Sequence, residues 1–372
     1  MDASVNRIPS SLDERALLVS IILKGDDPVK SNYSLEELKL LVTTAGAITV
    51  DTLTIKRDAI DPAFIVGKGY VEIIRNMIEA HDLKLVVFDL VNIKPAQVRN
   101  LEEVLKCRVV GRTEIILDIF ARRAKSAEAK IQVELAQLRY ILPRLKGMGG
   151  VLSRLGGGIG TRGPGEKMLE TDRRHILRRI DTLKKKLSKY EEHRKRTRLA
   201  RGDHPKGAVV GYTNAGKSTL INLLAKDDLF VEDRLFATLD SYTRKVYIDE
   251  NLTVLLTDTV GFIQNLPSNL IESFRSTLED IENSDFIIHV VDINSPDIDG
   301  NISTVNKELS SLEIEGKPVI LFFNKSDTAS DDKINLIQTT YPDSIIGSAK
   351  TEKSVPLLKE VIGKIVIKTK SY

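Results

Sequence analysis

An eight-residue segment, GYTNAGKS at residues 211–218, constrains the fold of this chain more than any other feature. It follows the apolar run Ala208–Val210, and the helix-forming residues Thr219–Ile221 come directly after it. A glycine-rich loop of this pattern between a strand and a helix is a phosphate-binding loop. Its glycines let the backbone curl so that N–H groups point at phosphate oxygens, and the helix N terminus adds positive potential. The segment therefore predicts a P-loop α/β domain with a doubly wound, mostly parallel sheet.

The residues of this loop divide into those that act through side chains and those that act mainly through the backbone. We expect the ammonium of Lys217 to reach the β- and γ-phosphates and the hydroxyl of Ser218 to ligate Mg²⁺. The other residues of the segment that are predicted to contact the nucleotide are Gly211, Tyr212, Thr213, Asn214, Ala215, Gly216 and Thr219.

Two later segments are predicted to hold the base. They are Asn324, Lys325 and Asp327, and then Ser348, Ala349 and Lys350. The first follows the apolar run Val319–Phe323, at the carboxyl end of a predicted strand, where open α/β sheets bind ligands. A carboxylate at Asp327 can accept hydrogen bonds from the ring N1–H and the exocyclic amine of guanine, whereas adenine presents an unprotonated N1. GTP is therefore the expected nucleotide, and the second segment is expected to close over its base.

A third apolar run, Val254–Thr257, leads into Asp258 and Gly261 with the spacing Asp-x-x-Gly. Asp258 is expected to hold Mg²⁺, directly or through water, and the N–H of Gly261 to bond the γ-phosphate until hydrolysis releases it. Thr238 lies in a loop and is the candidate second hydroxyl ligand, with an ordinary loop threonine as the alternative. The predicted metal ligands are thus Ser218, Thr238 and Asp258, and the predicted catalytic residues are Lys217, Thr238 and Gly261.

Several segments within and outside the nucleotide motifs resemble the HflX family, a branch of the Obg-HflX group of GTPases. Those in the nucleotide domain are GYTNAGKSTL at 211–220, LFATLD at 235–240, LLTDTVGFIQNL at 255–266 and FRSTLE at 274–279. Those upstream are GRTEIILDIFARRA at 111–124, IQVELAQL at 131–138 and GTRGPGE at 160–166. The upstream segments distinguish this resemblance from one to small GTPases in general.

The resemblance implies an enzyme that hydrolyses GTP and binds the large ribosomal subunit and its ribosomal RNA, near the peptidyl transferase centre. It further implies a role in splitting stalled or idle ribosomes. Two motifs depart from the usual family sequence: Leu239–Arg244 stands in place of LDPTTR, and Gly163–Glu170 in place of GPGETQLE. Many members carry a further carboxyl-terminal domain, so we expect its contacts to be missing from a chain that ends at Tyr372.

Two residues bear on how hydrolysis proceeds. Phe262 follows Gly261 where a glutamine would orient the attacking water, so intrinsic hydrolysis is expected to be slow unless another group or a partner supplies that function. This leaves a second class of function open, a GTP-regulated RNA-binding or ribosome assembly module in which hydrolysis only sets residence time. By resemblance to potassium-dependent relatives, Asn214 is a candidate contact for K⁺, and an asparagine that bonds its own backbone is the alternative.

Residues 1–120 alternate short apolar runs with helical patterns, which predicts a smaller parallel α/β domain. The predicted strands are Ala16–Leu23, Ile48–Thr54, Leu85–Phe88 and Arg108–Val110. Ser34–Glu37 has capping-box spacing and Pro95 suits a first helical position, so helices are expected to begin at both. The short Gly67–Gly69 segment, GKG, favours a structural or RNA-backbone role over a second nucleotide site.

Residues 121–202 change to a seven-residue apolar spacing, which predicts an antiparallel helical hairpin with a glycine-rich loop at 147–165. From Asp172 to Arg201 there are 13 Lys/Arg against four Asp/Glu. Beside a glycine loop that carries arginines, such a cluster suits RNA phosphates, with a solvated helix face as the alternative. Residues 203–372 then form the predicted GTP-binding domain.

Composition limits the remaining classes of protein. The single cysteine, Cys107, excludes an internal disulfide, and no Cys/His cluster in the sequence suggests a zinc site. The apolar runs are too short to span a membrane, and no signal peptide is apparent. We therefore expect a cytoplasmic protein. A monomer is the expected state, although nothing in the sequence fixes the number of subunits.

Overall fold

The computed structural model describes residues 14–147, 164–200, 204–226, 235–236, 238–239, 242–264, 275–312, 314 and 316–370. These residues form two compact units, each with its own β-sheet. The first unit comprises the described parts of residues 1–122 and 130–189. The second comprises the described parts of residues 123–129, 190–266 and 274–372.

The sheet of the first unit has four strands in the order β2-β1-β3-β4, and all neighbours are parallel. The strands are β1 (Glu14–Leu23), β2 (Ala47–Arg57), β3 (Leu85–Phe88) and β4 (Arg108–Gly111). The helices between them are α1 (Pro28–Thr44), α2 (Lys68–His81) and α3 (Pro95–Leu105). The predicted smaller α/β fold is confirmed, because each parallel connection contains one helix.

Helix α1 begins at Pro28, so the start predicted at Ser34 is wrong. The Asp27 carboxylate accepts a hydrogen bond from the Val29 N–H at 2.8 Å, and proline suits the first helical position. Ser34 lies inside the helix, where its hydroxyl accepts a hydrogen bond from the buried Arg112 at 3.1 Å. Helix α3 does begin at Pro95, as predicted.

Three helices follow the first sheet: α4 (Arg112–Arg123), α5 (Ala127–Ile141) and α6 (Pro164–Ala200). Helices α5 and α6 pack along an apolar seam whose buried members are Leu135, Ile180 and Leu183. The Arg179 guanidinium donates to both carboxylate oxygens of Glu134, at 2.6 and 2.8 Å. Residues 148–163 of the predicted glycine-rich loop lie outside the described residues.

The end of α5 is attached to the first sheet by a polar cluster. The Tyr140 hydroxyl donates to the Glu114 carboxylate, whose other oxygen accepts from the Gly111 N–H at 3.0 Å. The Arg144 guanidinium lies 3.4 Å from the Tyr140 ring centroid and donates to the Ile93 carbonyl oxygen at 3.4 Å. Because Tyr140 is buried, this cluster fixes the base of α5 on the sheet.

The second unit contains a six-stranded sheet in the order β10-β9-β8-β5-β7-β6. The strands are β5 (Lys206–Gly211), β6 (Tyr242–Tyr247), β7 (Thr253–Asp258), β8 (Phe286–Asp292), β9 (Val319–Asn324) and β10 (Ile345–Ile346). Strand β6 pairs antiparallel with β7, and the other neighbours are parallel. The helices are α7 (Lys217–Ala225), α8 (Arg275–Glu282), α9 (Ile298–Ser311), α10 (Asp331–Thr340) and α11 (Val355–Lys370). This is the doubly wound P-loop architecture that the loop motif predicts.

Successive residues of the central strands pack on opposite faces of this sheet. Phe322 lies in a cluster with Leu358 of α11, whereas the next residue, Phe323, lies in a cluster with Ile337 of α10. Strands covered on both faces read as continuous apolar runs, which is why they were visible in the sequence. Within the described ranges, no helix is long and apolar enough to cross a membrane.

Candidate nucleotide site

The phosphate-binding loop joins β5 to α7 at the carboxyl edge of the second sheet. Gly216 has a φ of 92°, and a β-carbon there would collide with the side-chain amide of Asn324. The position therefore requires glycine for both its backbone conformation and its space. Asn214 also has a positive φ, 60°, which asparagine tolerates better than most residues.

The ammonium of Lys217 is buried beneath this loop. It donates hydrogen bonds to the carbonyl oxygens of Gly211 at 3.2 Å and Tyr212 at 2.9 Å. Burial lowers the pKa of Lys217 to about 8, and the nearby Asp258 carboxylate opposes that shift. A bound phosphate would add negative charge beside the ammonium and favour its protonated form.

Three predicted metal ligands lie in mutual contact behind the loop. The Ser218 hydroxyl donates to the Asp258 carboxylate at 2.6 Å and lies 2.8 Å from the Thr238 hydroxyl. Thr238 in turn donates to the same carboxylate oxygen at 2.9 Å. Burial raises the pKa of Asp258, and the Lys217 ammonium opposes that rise. Oxygen ligands of this kind suit a hard cation such as Mg²⁺. The described residues contain no group of three or more His, Cys, Asp or Glu that suggests a different metal.

The predicted base-binding segments are linked to the phosphate-binding loop through Asn324. This side chain is 2% exposed and lies at the carboxyl end of β9. Its amide donates to the Ala215 carbonyl oxygen at 2.8 Å, and its oxygen accepts from the Ala349 N–H at 2.8 Å. Asn324 therefore fixes three loops relative to one another.

Two residues that the motifs did not predict, Asp292 and Asn294, bond Lys325. The Lys325 ammonium pairs with Asp292 at 2.8 Å. The Asn294 amide donates to the Lys325 carbonyl oxygen at 3.2 Å and to the Thr328 hydroxyl at 2.9 Å. An acidic residue at the carboxyl end of the apolar β8 strand was the available signal in the sequence.

A cavity of about 300 Å³ lies among these loops. The predicted residues that line it are Thr213, Asn214, Gly216, Lys217, Ser218, Thr219, Thr238, Gly261, Asn324, Lys325, Asp327, Ser348, Ala349 and Lys350. Gly211, Tyr212, Ala215 and Asp258 were also predicted, but they are buried and do not line it. Phe236 and Thr259 line the cavity and were not predicted. The signal for Phe236 in the sequence was its position two residues before the predicted metal ligand Thr238.

The phosphate-binding loop is also bonded to the segment that follows Asp258. We call this contact, between Gly211–Thr213 and Gly261–Gln264, the switch junction. The Thr213 N–H donates to the Phe262 carbonyl oxygen at 2.7 Å, and the Phe262 N–H donates to the Gly211 carbonyl oxygen at 3.1 Å. The Tyr212 hydroxyl accepts from the Gln264 N–H at 2.8 Å. The Phe262 side chain is 4% exposed and does not line the cavity.

Three family models match consecutive parts of the chain. They are described as the GTP-binding GTPase N-terminal region (residues 32–121), the GTP-binding GTPase middle region (123–201) and a 50S ribosome-binding GTPase (206–325). A protein from Caldanaerobacter subterraneus subsp. tengcongensis, named GTPase HflX, is 46% identical over 357 residues, which cover 95% of this chain and 81% of that protein. The chain belongs to the HflX family of GTPases.

Further comparisons agree with this assignment. The Escherichia coli GTPase HflX is 39% identical over 353 residues, covering 94% of this chain and 82% of that protein. The crystal structure of SsGBP in complex with GDP shares the fold, with a TM-score of 0.52 and 24% identity over 95% of this chain and 98% of that one. The HflX relatives and the P-loop site together identify this chain as a GTP hydrolase.

Proposed function

We propose that this HflX family GTPase binds the large ribosomal subunit and couples GTP binding and hydrolysis to the splitting or recycling of stalled or idle ribosomes. The observation that carries the proposal is the match of residues 206–325, which contain the phosphate-binding loop, to a family of 50S ribosome-binding GTPases. A ribosomal partner would place the activity in the cytoplasm, and we propose that the chain acts as a monomer.

In this proposal the cavity holds GTP with its phosphates against the loop and its base against β9 and β10. Lys217 binds the β- and γ-phosphates, and Asp327 accepts from the guanine N1–H and amine. Ser348, Ala349 and Lys350 close the base end, and Asn324 keeps that end in register with the loop. The buried bonds of Asn324 support this arrangement because they pre-order the loops before a nucleotide arrives.

Ser218, Thr238 and Asp258 would hold Mg²⁺. The bound cation would neutralise charge on the β- and γ-phosphate oxygens. The N–H of Gly261 would bond the γ-phosphate, so that its loss after hydrolysis releases the segment that follows. The three ligand side chains already converge on one point, which supports this role.

Intrinsic hydrolysis is expected to be slow, and the ribosome is expected to accelerate it. The residue after Gly261 is a phenylalanine whose side chain is buried away from the cavity. It cannot orient the attacking water, and therefore another group or the partner has to do so.

The exposed face of α6 supports contact with RNA. Arg174, Arg178, Lys185 and Lys189 are exposed and recur at helical spacing on the side away from the apolar seam with α5. We call these four residues the basic stripe. Surface lysines and arginines in a row neutralise phosphates along a nucleic acid backbone, which makes the affinity depend on salt. The end of α5 is attached to the first sheet, and α6 packs against α5. The stripe on α6 would therefore have a defined position relative to that sheet.

The proposal is tested by GTP hydrolysis and light scattering with purified ribosomes. Large subunits should raise the hydrolysis rate by at least about tenfold, and intact ribosomes should separate when GTP is added. Lys217→Ala should abolish both effects. Arg178→Ala with Lys189→Ala should weaken subunit binding and make its remaining affinity fall less steeply with salt, because fewer counterions are released. Lys368→Ala, which removes an exposed lysine on α11, serves as the control.

The second candidate is a GTP-regulated RNA-binding or ribosome assembly module in which hydrolysis only sets residence time. The burial of Phe262 favours it, because slow hydrolysis suits a timer. Subunit binding without accelerated hydrolysis and without separation would support this second function. Asn214 remains a proposed contact for K⁺, and equal hydrolysis rates in potassium and sodium would contradict that role.

A further inference from the structure

One buried side chain of the phosphate-binding loop does not line the cavity and instead bonds the backbone of Gly261–Gln264, which we call the switch segment. Tyr212 is 6% exposed, and its hydroxyl is the acceptor for the Gln264 N–H at 2.8 Å. The ring is therefore held by packing, and its hydroxyl presents a fixed acceptor to the switch backbone.

We propose that Tyr212 is a positioning residue for GTP hydrolysis, because its hydroxyl fixes the backbone of Gln264 and so holds Gly261 beside the site of the γ-phosphate. The proposal rests on the role given above to the Gly261 N–H. It extends that role by identifying the group that keeps Gly261 in place.

The switch junction holds the switch segment at two points. Backbone hydrogen bonds to Gly211 and Thr213 anchor Phe262, but they do not reach beyond it. The Tyr212 hydroxyl bonds the backbone at Gln264, so the segment is held at both Phe262 and Gln264. A segment bonded at two points samples fewer conformations than one bonded only at its start.

Gly261 lies close to Lys217, the lysine that is predicted to bind the phosphates. A β-carbon on Gly261 would lie 2.9 Å from the Thr213 α-carbon and 3.0 Å from the Lys217 Nζ. Small movements of the switch segment therefore change the position of Gly261 relative to the ammonium. Positions of groups around a transferring phosphoryl group affect the rate strongly, because most of the catalysis is positioning and charge stabilisation.

Tyr212 is also bonded to the lysine that is predicted to bind the phosphates. The Lys217 ammonium donates to the Tyr212 carbonyl oxygen at 2.9 Å. A γ-phosphate that attracts this ammonium would weaken its bond to the Tyr212 peptide, whose side chain holds Gln264. Tyr212 would therefore respond to a bound phosphate through its carbonyl oxygen and hold the switch segment through its hydroxyl.

The test is Tyr212→Phe, which keeps the buried ring and removes only the hydroxyl. One neutral hydrogen bond is lost, and we expect a roughly three- to tenfold fall in the intrinsic kcat for GTP. Affinity for GDP should stay within about twofold, because GDP has no γ-phosphate for Gly261 to contact. Amide exchange at Gln264 should become faster in the variant, as measured by NMR with GDP bound.

The matched control is Tyr247→Phe, the same substitution at a tyrosine that is 66% exposed on β6. It should leave kcat, GDP affinity and Gln264 exchange unchanged. An unchanged kcat in Tyr212→Phe would overturn the proposal. So would equal losses of GDP affinity and kcat, since these would show general damage to the site. The assays contain no ribosomes, so their outcome is separate from that of the proposed ribosomal role.

Discussion

Replacement of Asn324 by alanine should weaken nucleotide binding although Asn324 is not a phosphate ligand. Asn324→Ala removes two buried hydrogen bonds, each 2.8 Å long, to the Ala215 carbonyl oxygen and from the Ala349 N–H. Each such bond contributes roughly 0.5–1.5 kcal/mol, so the pair contributes about 1–3 kcal/mol. If the freed loops must be reordered by the ligand, the affinity for GDP falls by about five- to 150-fold.

The measurement is a fluorescence titration with a labelled GDP, alongside thermal unfolding of the unliganded protein. Asn335→Ala is the matched control, because Asn335 is exposed on α10. Asn324→Asp keeps the acceptor for Ala349 but places a carboxylate oxygen against the Ala215 carbonyl, so it should bind GDP no better than the alanine variant. A folded Asn324→Ala protein that binds GDP within twofold of the original would refute the reasoning.

Two further substitutions test the geometry of the site. Phe262→Gln should not accelerate intrinsic hydrolysis, because this side chain is buried away from the cavity, and the buried amide should lower the free energy of unfolding in urea by about 1–3 kcal/mol. Faster hydrolysis by that variant would show that the side chain reaches the phosphates. The affinity for GDP should fall as the pH rises through about 8, the pKa of Lys217, because only the protonated ammonium attracts phosphate. Lys217→Arg should show no such fall up to about pH 9, since its guanidinium stays protonated, and a constant affinity in the unmodified protein would contradict this account.

The elements that could be predicted are those whose determinants are local in sequence. The loop between β5 and α7 carries its glycines, lysine and serine in one short segment, so its conformation and its partners follow from that segment. Strands such as β9 are buried on both faces and read as apolar runs. The site residues then converge because the carboxyl ends of the parallel strands β5, β7 and β9 meet at one edge of the sheet.

The features that could not be predicted depend on contacts between distant residues. Ser34 has the spacing of a helix cap, but Asp27 is the residue that caps α1. The Ser34 hydroxyl instead accepts a hydrogen bond from Arg112, which is 78 residues away in the sequence. Asn324 was predicted as a base-binding residue, yet its bonds to Ala215, across 109 residues, were not visible in the motif. The bond between Tyr212 and Gln264 likewise depends on the direction of one side chain in the folded core.

The bonds of Lys217 and those of Asn324 place opposite requirements on the phosphate-binding loop. Asn324 keeps the base end ordered without a nucleotide, whereas the bonds of Lys217 to Gly211 and Tyr212 have to yield when phosphates attract the ammonium. The phosphate end is therefore the part of the site whose hydrogen bonds change with the ligand. In the proposed role of Tyr212, a change in these hydrogen bonds alters the position of the switch segment. That movement would change the surface that a bound partner contacts.

Under the proposed function, the nucleotide bound in the second unit controls how firmly the chain holds the large ribosomal subunit. The most direct measurement is cosedimentation with purified large subunits in a non-hydrolysable GTP analogue and in GDP, over a range of protein concentrations. The account predicts binding at least about tenfold tighter with the GTP analogue. Equal affinity with the two nucleotides would contradict it.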